Sequence, residues 1–142
     1  MSGRSEASYI VHDVLPLFAR YGYPSSGDRD HVKVNDVPVY RPSGGKSGSK
    51  MDIVYYYNGE PLLLVEAKRE KRSHEKALVE AENYLRNFPT KDKKFAPSGR
   101  QPRYIATTVG REIKFYHHRF DVSPDGLLKQ ISEPINILTF DE

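Results

Sequence analysis

The sequence predicts a single α/β domain in which helices flank a central mixed β-sheet. Two apolar strand pairs alternate with two amphipathic helical stretches along the 142 residues, and this alternation is typical of a sheet covered by helices. The length suits one domain with its own core. The chain has no cysteine, which excludes disulfides and thiolate metal sites. No apolar run is long enough for a membrane span and the N-terminus lacks a signal-peptide pattern, so we expect a cytoplasmic protein without a membrane partner.

Residues 5–21 are expected to form the first helix. Apolar residues recur there at a spacing of three to four, which is typical of a buried helical stripe. The stripe consists of Ile10, Val11, Val14, Leu15 and Phe18. Pro16 should kink the helix or begin a second short one, and Gly22 suits its end. Glu6 continues the stripe by one turn, although an acid in a first turn also stabilises the helix N-terminus.

The segment between the first helix and Asp52 is less regular. Residues 31–41 alternate well enough for a strand or for a hairpin about Asn35-Asp36. Residues 41–50, RPSGGKSGSK, are expected to form a flexible Gly/Ser linker. This linker is not a phosphate-binding P-loop, because Tyr40 stands where the first glycine is needed and a strand follows where a helix is needed. A nucleotide-hydrolysing motor within these residues is therefore excluded.

The central hairpin carries the candidate site. Apolar runs rich in Val, Ile, Leu and Tyr flank Asn58-Gly59, which is a strong hairpin signal. Asp52 opens the first strand, and Glu66 and Lys68 leave one face at the end of the second. Charged groups in such an apolar background are costly unless they are paired, hydrogen-bonded or bound to a metal. The pattern indicates either a catalytic centre or a surface ion-pair cluster.

The length of the turn decides whether these charges share a face. A two-residue Asn58-Gly59 turn with a regular ladder would place Asp52 opposite Val65, on the other face from Glu66. A three-residue loop would place Asp52 opposite Leu64, on the same face as Glu66. A functional site therefore predicts the longer loop or a β-bulge.

A second helix and a second strand pair follow. The helix should run from about Ser73 to Phe88, with Ser73 as its cap and Pro89 as its stop. Glu80 and Tyr84 lie one turn apart on the border of its buried stripe. A strand pair is expected about Gly110-Arg111, and PINILTF is a candidate last strand. The adjacent His117 and His118 would point to opposite faces of their strand, which is poor geometry for chelating one metal.

Basic residues cluster on both sides of the second helix, although the formal net charge is only +3. Such clusters can contact phosphates, but lysine-rich loops are also common on ordinary surfaces. The first cluster comprises Lys68, Arg69, Lys71, Arg72 and Lys76, and the second comprises Lys91, Lys93, Lys94, Arg100 and Arg103.

These features together resemble the PD-(D/E)xK nuclease superfamily, and more narrowly the N-terminal nuclease domain of type I restriction enzyme R subunits. SEASYIVHDVLPLFARYGY is similar to the opening helix of that family with its glutamate, VEAKR to its core, EAENYL to the region of its Gln-x-x-x-Tyr motif and ATTVGREIKFY to its following hairpin. Two positions depart from the pattern: Met51 stands where the family name has proline, and Glu80 stands where glutamine is expected.

The resemblance implies a restriction-endonuclease-like core and a Mg²⁺-dependent DNA endonuclease, with Mn²⁺ as a substitute metal. Asp52 and Glu66 would be metal ligands and catalytic residues, Lys68 the catalytic lysine and Glu6 a further acid at the metal. Glu80 and Tyr84 would be supporting residues. For DNA contacts we expect the lysines and arginines that surround this centre: Lys50, Arg69, Lys71, Arg72 and Lys76.

The partners that the resemblance implies are DNA and the other parts of a restriction complex. In that family the nuclease works with a helicase-type translocase and with specificity and methylation subunits. The sequence shows no base-reading element, so binding would rest mainly on phosphate contacts. Two alternatives stay open: a catalytically inactive DNA-binding or assembly domain with the same fold, and a repair-type or RNA-processing nuclease.

Overall fold

The computed structural model describes residues 6–24, 28, 30–41, 45–68, 73–86, 102–126 and 128–139. The helical segments are α1 (Glu6–Tyr9), a π-helical turn (Ile10–Val14), α2 (Leu15–Arg20) and α3 (His74–Arg86). The strands are β1 (Val32–Val34), β2 (Pro38–Tyr40), β3 (Lys46–Lys50), β4 (Ile53–Tyr57), β5 (Glu60–Lys68), β6 (Tyr104–Val109), β7 (Glu112–Val122) and β8 (Leu128–Thr139). The fold is mixed α/β, as the sequence predicts.

A mixed sheet of six strands forms the centre of the described fold, in the order β1-β4-β5-β6-β7-β8. The pair β5–β6 is parallel and the other pairs are antiparallel. Parallel neighbours need a crossover connection, and α3 lies in the segment between these two strands. Strands β2 and β3 form a separate two-stranded sheet.

Each face of the central sheet packs against a different layer. The segment α1 to α2 covers one face, and its core includes Tyr9, Ile10, Val14, Leu15, Leu17, Phe18, Ile53, Tyr55, Leu63, Val65, Ala67 and Ala106. Helix α3 and the β2–β3 sheet cover the other face, and that core includes Val37, Val39, Met51, Val54, Tyr56, Leu64, Ala81, Leu85, Ile105 and Tyr116. We call this second face the α3 face.

The first helical segment contains the break that Pro16 predicts. The N–H of Leu15 donates to the carbonyl of Ile10, a π-type bond, and α2 then begins with Pro16 in its first turn. Proline is tolerated there because it lacks only an N–H that would have no helical partner. The widened turn changes the phase of the apolar stripe, and Val11 is 53% exposed. The prediction that Val11 is buried was wrong.

The helix ends at Gly22 as predicted. Gly22 has φ 95°, its N–H donates to the carbonyl of Ala19, and the N–H of Tyr23 donates to the carbonyl of Phe18. These two bonds form a Schellman motif, which satisfies carbonyls at a helix C-terminus and needs a left-handed residue.

Two expectations for residues 31–50 are corrected. There is no hairpin about Asn35-Asp36 in the described chain, because β1 pairs with β4 whereas β2 pairs with β3. Residues 46–50 are not a linker but strand β3, antiparallel to β2. Pairing of the backbone with β2 outweighs the low strand propensity of Gly and Ser.

Helix α3 and the second strand pair are confirmed. The N–H of Lys76 donates to Oγ of Ser73 at 3.1 Å, which is the expected N-cap bond; Phe88 and Pro89 lie outside the described residues. Strands β6 and β7 meet at Gly110-Arg111, and the last strand begins earlier than PINILTF, at Leu128. None of the helices within the described ranges is long and apolar enough to cross a membrane.

Candidate functional site

The turn of the central hairpin has two residues, and the strand after it carries a bulge. Asn58 and Gly59 have φ 52° and 78°, as both central residues of a type I′ turn require. The register runs from Tyr57 opposite Glu60 to Tyr56 opposite Pro61, and then jumps to Tyr55 opposite Leu63. Leu62 is the extra residue. The prediction of a longer loop or a bulge is confirmed by the bulge.

The bulge brings the predicted charged residues to one face. Ile53 pairs with Val65, so the same register one residue further places Asp52 opposite Glu66. Leu64 and Val54 pack on the α3 face, and side chains alternate along a strand. Asp52, Glu66 and Lys68 therefore all lie on the α3 face.

Glu66 and Asp52 form a coupled carboxyl pair. Burial raises the pKa of Glu66 well above its usual value, the neighbouring carboxyl group of Asp52 raises it further, and the charge of Lys68 opposes the shift. Glu66 is only 2% exposed. Its Oε2 atom is buried without a hydrogen-bond partner among the described residues, which is costly for a carboxyl oxygen.

Lys68 is engaged by Glu80 of α3. Its Nζ lies 3.0 Å from Oε1 and 2.8 Å from Oε2 of Glu80. The Lys68 side chain is 14% exposed and that of Glu80 is 40% exposed. The hydroxyl of Tyr84 donates to Oε1 of Glu80 at 3.2 Å. Burial and the charges of Glu66 and Glu80 raise the pKa of Tyr84, so this hydroxyl keeps its proton. Of the two supporting residues, Glu80 therefore contacts the lysine, and Tyr84 contacts Glu80.

A second polar cluster lies beside the carboxyl pair and was missed from the sequence. Glu66 is paired with Thr107 on β6, and Thr107 with Lys114 on β7. His74, the first residue of α3, places Nδ1 2.7 Å from Oγ1 of Thr107 and Nε2 3.0 Å from Oε1 of Glu112. The second contact is close but not aligned as a hydrogen bond. Burial, followed by the charge of Lys114, lowers the pKa of His74.

One signal in the sequence could have located this cluster. A strand, helix, strand order favours parallel pairing of the two strands, which sets the end of β5 beside the end of β6. Thr107 would then be expected beside Glu66, but the exact register and the reach of His74 do not follow from spacing.

The remaining predicted site residues are only partly described. Lys50 is exposed on β3, just before Met51 and Asp52, and Lys76 is exposed on α3, one turn before Glu80. Glu6 begins α1, whose last residue, Tyr9, packs on the sheet face opposite the α3 face; the side chain of Glu6 is not among those described. Arg69, Lys71 and Arg72 lie outside the described residues.

The chemistry of the carboxyl pair suits a hard divalent cation. Asp52 and Glu66 offer oxygen donors, which Mg²⁺ and Mn²⁺ prefer, and Mg²⁺ is commonly held by one or two carboxylates. The Oε2 atom of Glu66 has no hydrogen-bond partner among the described residues, so no protein group would have to leave it for a cation to bind. Within the described residues, however, no group of three or more His, Cys, Asp or Glu side chains could hold a metal ion. The two carboxylates alone would therefore fill only part of the coordination shell of such a cation.

Neither a scan against protein-family models nor searches of curated proteins and of solved structures gave a significant match.

Proposed function

We propose that this chain is a Mg²⁺-dependent endodeoxyribonuclease domain of the PD-(D/E)xK superfamily, with a restriction-endonuclease-like core. The observation that carries the proposal is the bulge at Leu62, which sets Asp52 opposite Glu66 with Lys68 on the same face. With this two-residue turn, a regular ladder would have placed the two carboxylates on opposite faces of the sheet. Two acids and a lysine on one buried face are the groups that metal-assisted phosphodiester hydrolysis requires.

The carboxyl pair would hold the cation. When bound, Mg²⁺ supplies a Lewis acid and an activated water for attack on phosphorus. Asp52 and Glu66 would contribute anionic oxygens, and Glu66 must lose its proton to do so, because ligating carboxylates are deprotonated. A metal ion would thus compete with a proton for this pair. Mn²⁺ would substitute, since it takes the same donor type.

Lys68 would act on the reacting phosphate or on the attacking water. As an ammonium it would stabilise the negative charge that develops on the phosphoryl oxygens. As a neutral amine it would accept a proton from the water. Both roles require that the substrate reach Nζ, which Glu80 now contacts with both carboxylate oxygens.

DNA would be bound mainly through its phosphates. Lys50 and Lys76 are exposed near the charged face, and Arg69, Lys71 and Arg72 are proposed to extend this basic surface. In a restriction system the domain would work with translocase, specificity and methylation partners, which would supply sequence recognition. Comparing the cleavage of duplex, single-stranded and branched nucleic acids distinguishes this proposal from a repair-type nuclease.

The test is cleavage of supercoiled plasmid DNA. We expect nicking or linearisation with Mg²⁺ or Mn²⁺ and none with EDTA. Lys68→Ala should lower the rate by about 10²–10⁴-fold, the usual contribution of a positioned catalytic group, while the thermal melt still shows a folded protein. Lys129→Ala, which changes an exposed lysine on β8, is the matched control. Unchanged cutting by Lys68→Ala would contradict the catalytic assignment.

A second candidate is a DNA-binding or assembly domain that does not cut. Two observations favour it: Lys68 is paired with Glu80, and no third carboxylate joins the pair among the described residues. This candidate predicts DNA binding without cleavage under every metal condition, both for the isolated chain and within its assembly. Cleavage that depends on Lys68 would exclude it.

A further inference from the structure

We propose that Glu80 is a built-in competitor of the DNA phosphate for Lys68, so that substrate binding must displace Glu80 from the lysine. The inference rests on the proposed function, because it concerns how DNA reaches the same site. It assigns Glu80 as a positioning residue that controls access to Lys68.

The contact between Glu80 and Lys68 resembles the contact that a phosphate would make. Both carboxylate oxygens lie within 3.0 Å of Nζ, much as two non-bridging phosphate oxygens would bind an ammonium. Because this ion pair already neutralises the lysine, a phosphate gains less from approaching it. The incoming anion must therefore replace an interaction as well as form one.

Glu80 also lies closer to solvent than Lys68 does. It is 40% exposed while Lys68 is 14% exposed, so the carboxylate is the more accessible member of the pair. It borders an open depression at the start of α3, lined by Ser73, Glu75, Lys76, Val79 and Glu80. A phosphate in this depression would contact Glu80, whereas Lys68 is not among its described lining residues.

Displacement of Glu80 requires only a side-chain rotation. Lys76 lies one turn earlier on α3 and is exposed, and residues four apart on a helix are neighbours. A Glu80 side chain that leaves Lys68 can therefore turn toward this exposed side of α3. In the free state the hydroxyl of Tyr84 donates to Oε1 at 3.2 Å and holds the carboxylate toward Lys68. The helix itself need not move.

The exchange favours ligands that carry several phosphates. A single phosphate would have to displace Glu80 by its contact with Lys68 alone. A DNA segment can add contacts to neighbouring lysines, and these contacts contribute to the binding free energy while Glu80 is displaced. Glu80 therefore selects polymeric DNA over small phosphates at this site.

The experiment measures DNA binding without metal, so that cleavage plays no part. A fluorescent DNA duplex is titrated with protein in EDTA at several salt concentrations. Glu80→Gln keeps the shape of the side chain and an oxygen for the Tyr84 bond but removes the charge. We expect it to bind DNA about tenfold more tightly than wild type. The slope of log affinity against log salt should steepen by about 0.9, the value for one added phosphate contact.

Two further variants isolate the contact. Glu75→Gln removes one negative charge from the same depression, at a position five residues from Glu80. This variant should change DNA affinity by less than about twofold and leave the salt slope unchanged. Combining Glu80→Gln with Lys68→Ala should abolish the gain in affinity, because the gain requires the positive charge of Lys68 that Glu80 no longer neutralises.

The outcomes separate this inference from the proposed function. It is overturned if Glu80→Gln behaves like Glu75→Gln, if the gain persists without Lys68, or if Glu80→Gln does not bind DNA. A gain that depends on Lys68, in a protein that never cleaves DNA, would uphold the role of Glu80 while the nuclease proposal fails. Cleavage that depends on Lys68 without such a gain would uphold the nuclease and exclude the role of Glu80.

Discussion

The backbone N–H of Ala67 donates a hydrogen bond to Oδ2 of Asp52 over 2.8 Å. Ala67 is fully buried between Glu66 and Lys68, and a buried N–H without a partner costs about 1–3 kcal/mol. Asp52 is thus tied to the backbone of the neighbouring strand, and its carboxylate stabilises the hairpin as well as facing Glu66.

Variants of Asp52 should therefore separate stability from activity. Asp52→Ala removes the acceptor and should lower the free energy of unfolding by about 1–3 kcal/mol. Asp52→Asn keeps an acceptor oxygen for the N–H of Ala67 and should cost less, yet it should also be inactive because it cannot supply an anionic ligand. Urea unfolding and plasmid cleavage measure the two effects. If both variants lower the free energy of unfolding equally, the hydrogen bond from the N–H of Ala67 does not contribute to stability.

The stability of the protein should decrease as Glu66 ionises. The folded-state pKa of Glu66 is raised above its usual 4.5, so the folded state binds the proton more tightly than the unfolded state. The associated stability is fully present below pH 4.5 and is lost as pH rises through the folded pKa. Glu66→Gln cannot ionise and should remove this loss. Thermal melts between pH 4.5 and 8 without metal test the difference.

Added Mn²⁺ supplies the control for Glu66. It should raise the melting temperature of wild type near pH 7.5 by binding the ionised pair, because a ligand of the native state stabilises it. The same addition should have little effect on Glu66→Gln. If the melting temperature of Glu66→Gln depends on pH in the same way as that of wild type, the ionisation of Glu66 does not cause this dependence.

His118 should give the opposite pH dependence. It is 3% exposed, and burial, followed by the charge of His117, lowers its pKa from 6.5 to about 4. Its Nε2 lies 2.8 Å from Nε2 of Gln130, which also donates to the carbonyl of Glu82 on α3. The amide nitrogen of Gln130 can only donate, so Nε2 of His118 accepts this hydrogen bond. A ring nitrogen that accepts carries no proton, and the ring is therefore neutral above its lowered pKa.

Acid should therefore destabilise the protein through His118. The neutral His118 ring contributes about 3 kcal/mol to the free energy of unfolding. This contribution is fully present above pH 6.5 and is lost as pH falls through about 4. His118→Gln should flatten this part of the stability profile, whereas His12→Gln, an exposed histidine of the π-helical turn, should not. Unfolding in urea at pH 4 and pH 7 measures the difference. A profile that His118→Gln leaves unchanged would refute the assignment.

Lys50 and Lys76 should contribute to DNA affinity without selecting a sequence. Each alanine variant should weaken binding and lower the slope of log affinity against log salt by about 0.9 if the lysine contacts one phosphate. Fluorescence titrations with two duplexes of unrelated sequence measure both quantities. Lys129→Ala is the control, since that lysine lies on β8. If both variants keep the salt dependence of wild type, neither lysine contacts a DNA phosphate.

The elements with strong local signals were predictable from the sequence. The Asn58-Gly59 turn, the Ser73 cap and the Gly22 helix end each depend on a few adjacent residues whose side chain or backbone freedom decides the conformation. The spacing of apolar residues was enough to locate both helical stretches and both strand pairs. Parity then linked the turn to the site and required a bulge or a longer loop.

The parts that failed depend on contacts distant in sequence. Strand β3 exists because β2 lies beside it, and its own residues favour a loop. The ion pair of Lys68 with Glu80 and the contacts of His74 with Thr107 and Glu112 depend on how α3 lies on the sheet. Helical spacing gives the face of each side chain but not the neighbour that it meets.

The bulge at Leu62 also bears on how related chains should be aligned. Asp52 and Glu66 are separated by thirteen residues, and a two-residue turn with a regular ladder would bring the same two carboxylates together across twelve. The thirteenth residue is absorbed by the bulge. A relative that lacks one leucine of Leu62-Leu63-Leu64 would keep the pair of acids intact, so an alignment of this hairpin should admit a gap of one residue there rather than hold the spacing of the acids fixed.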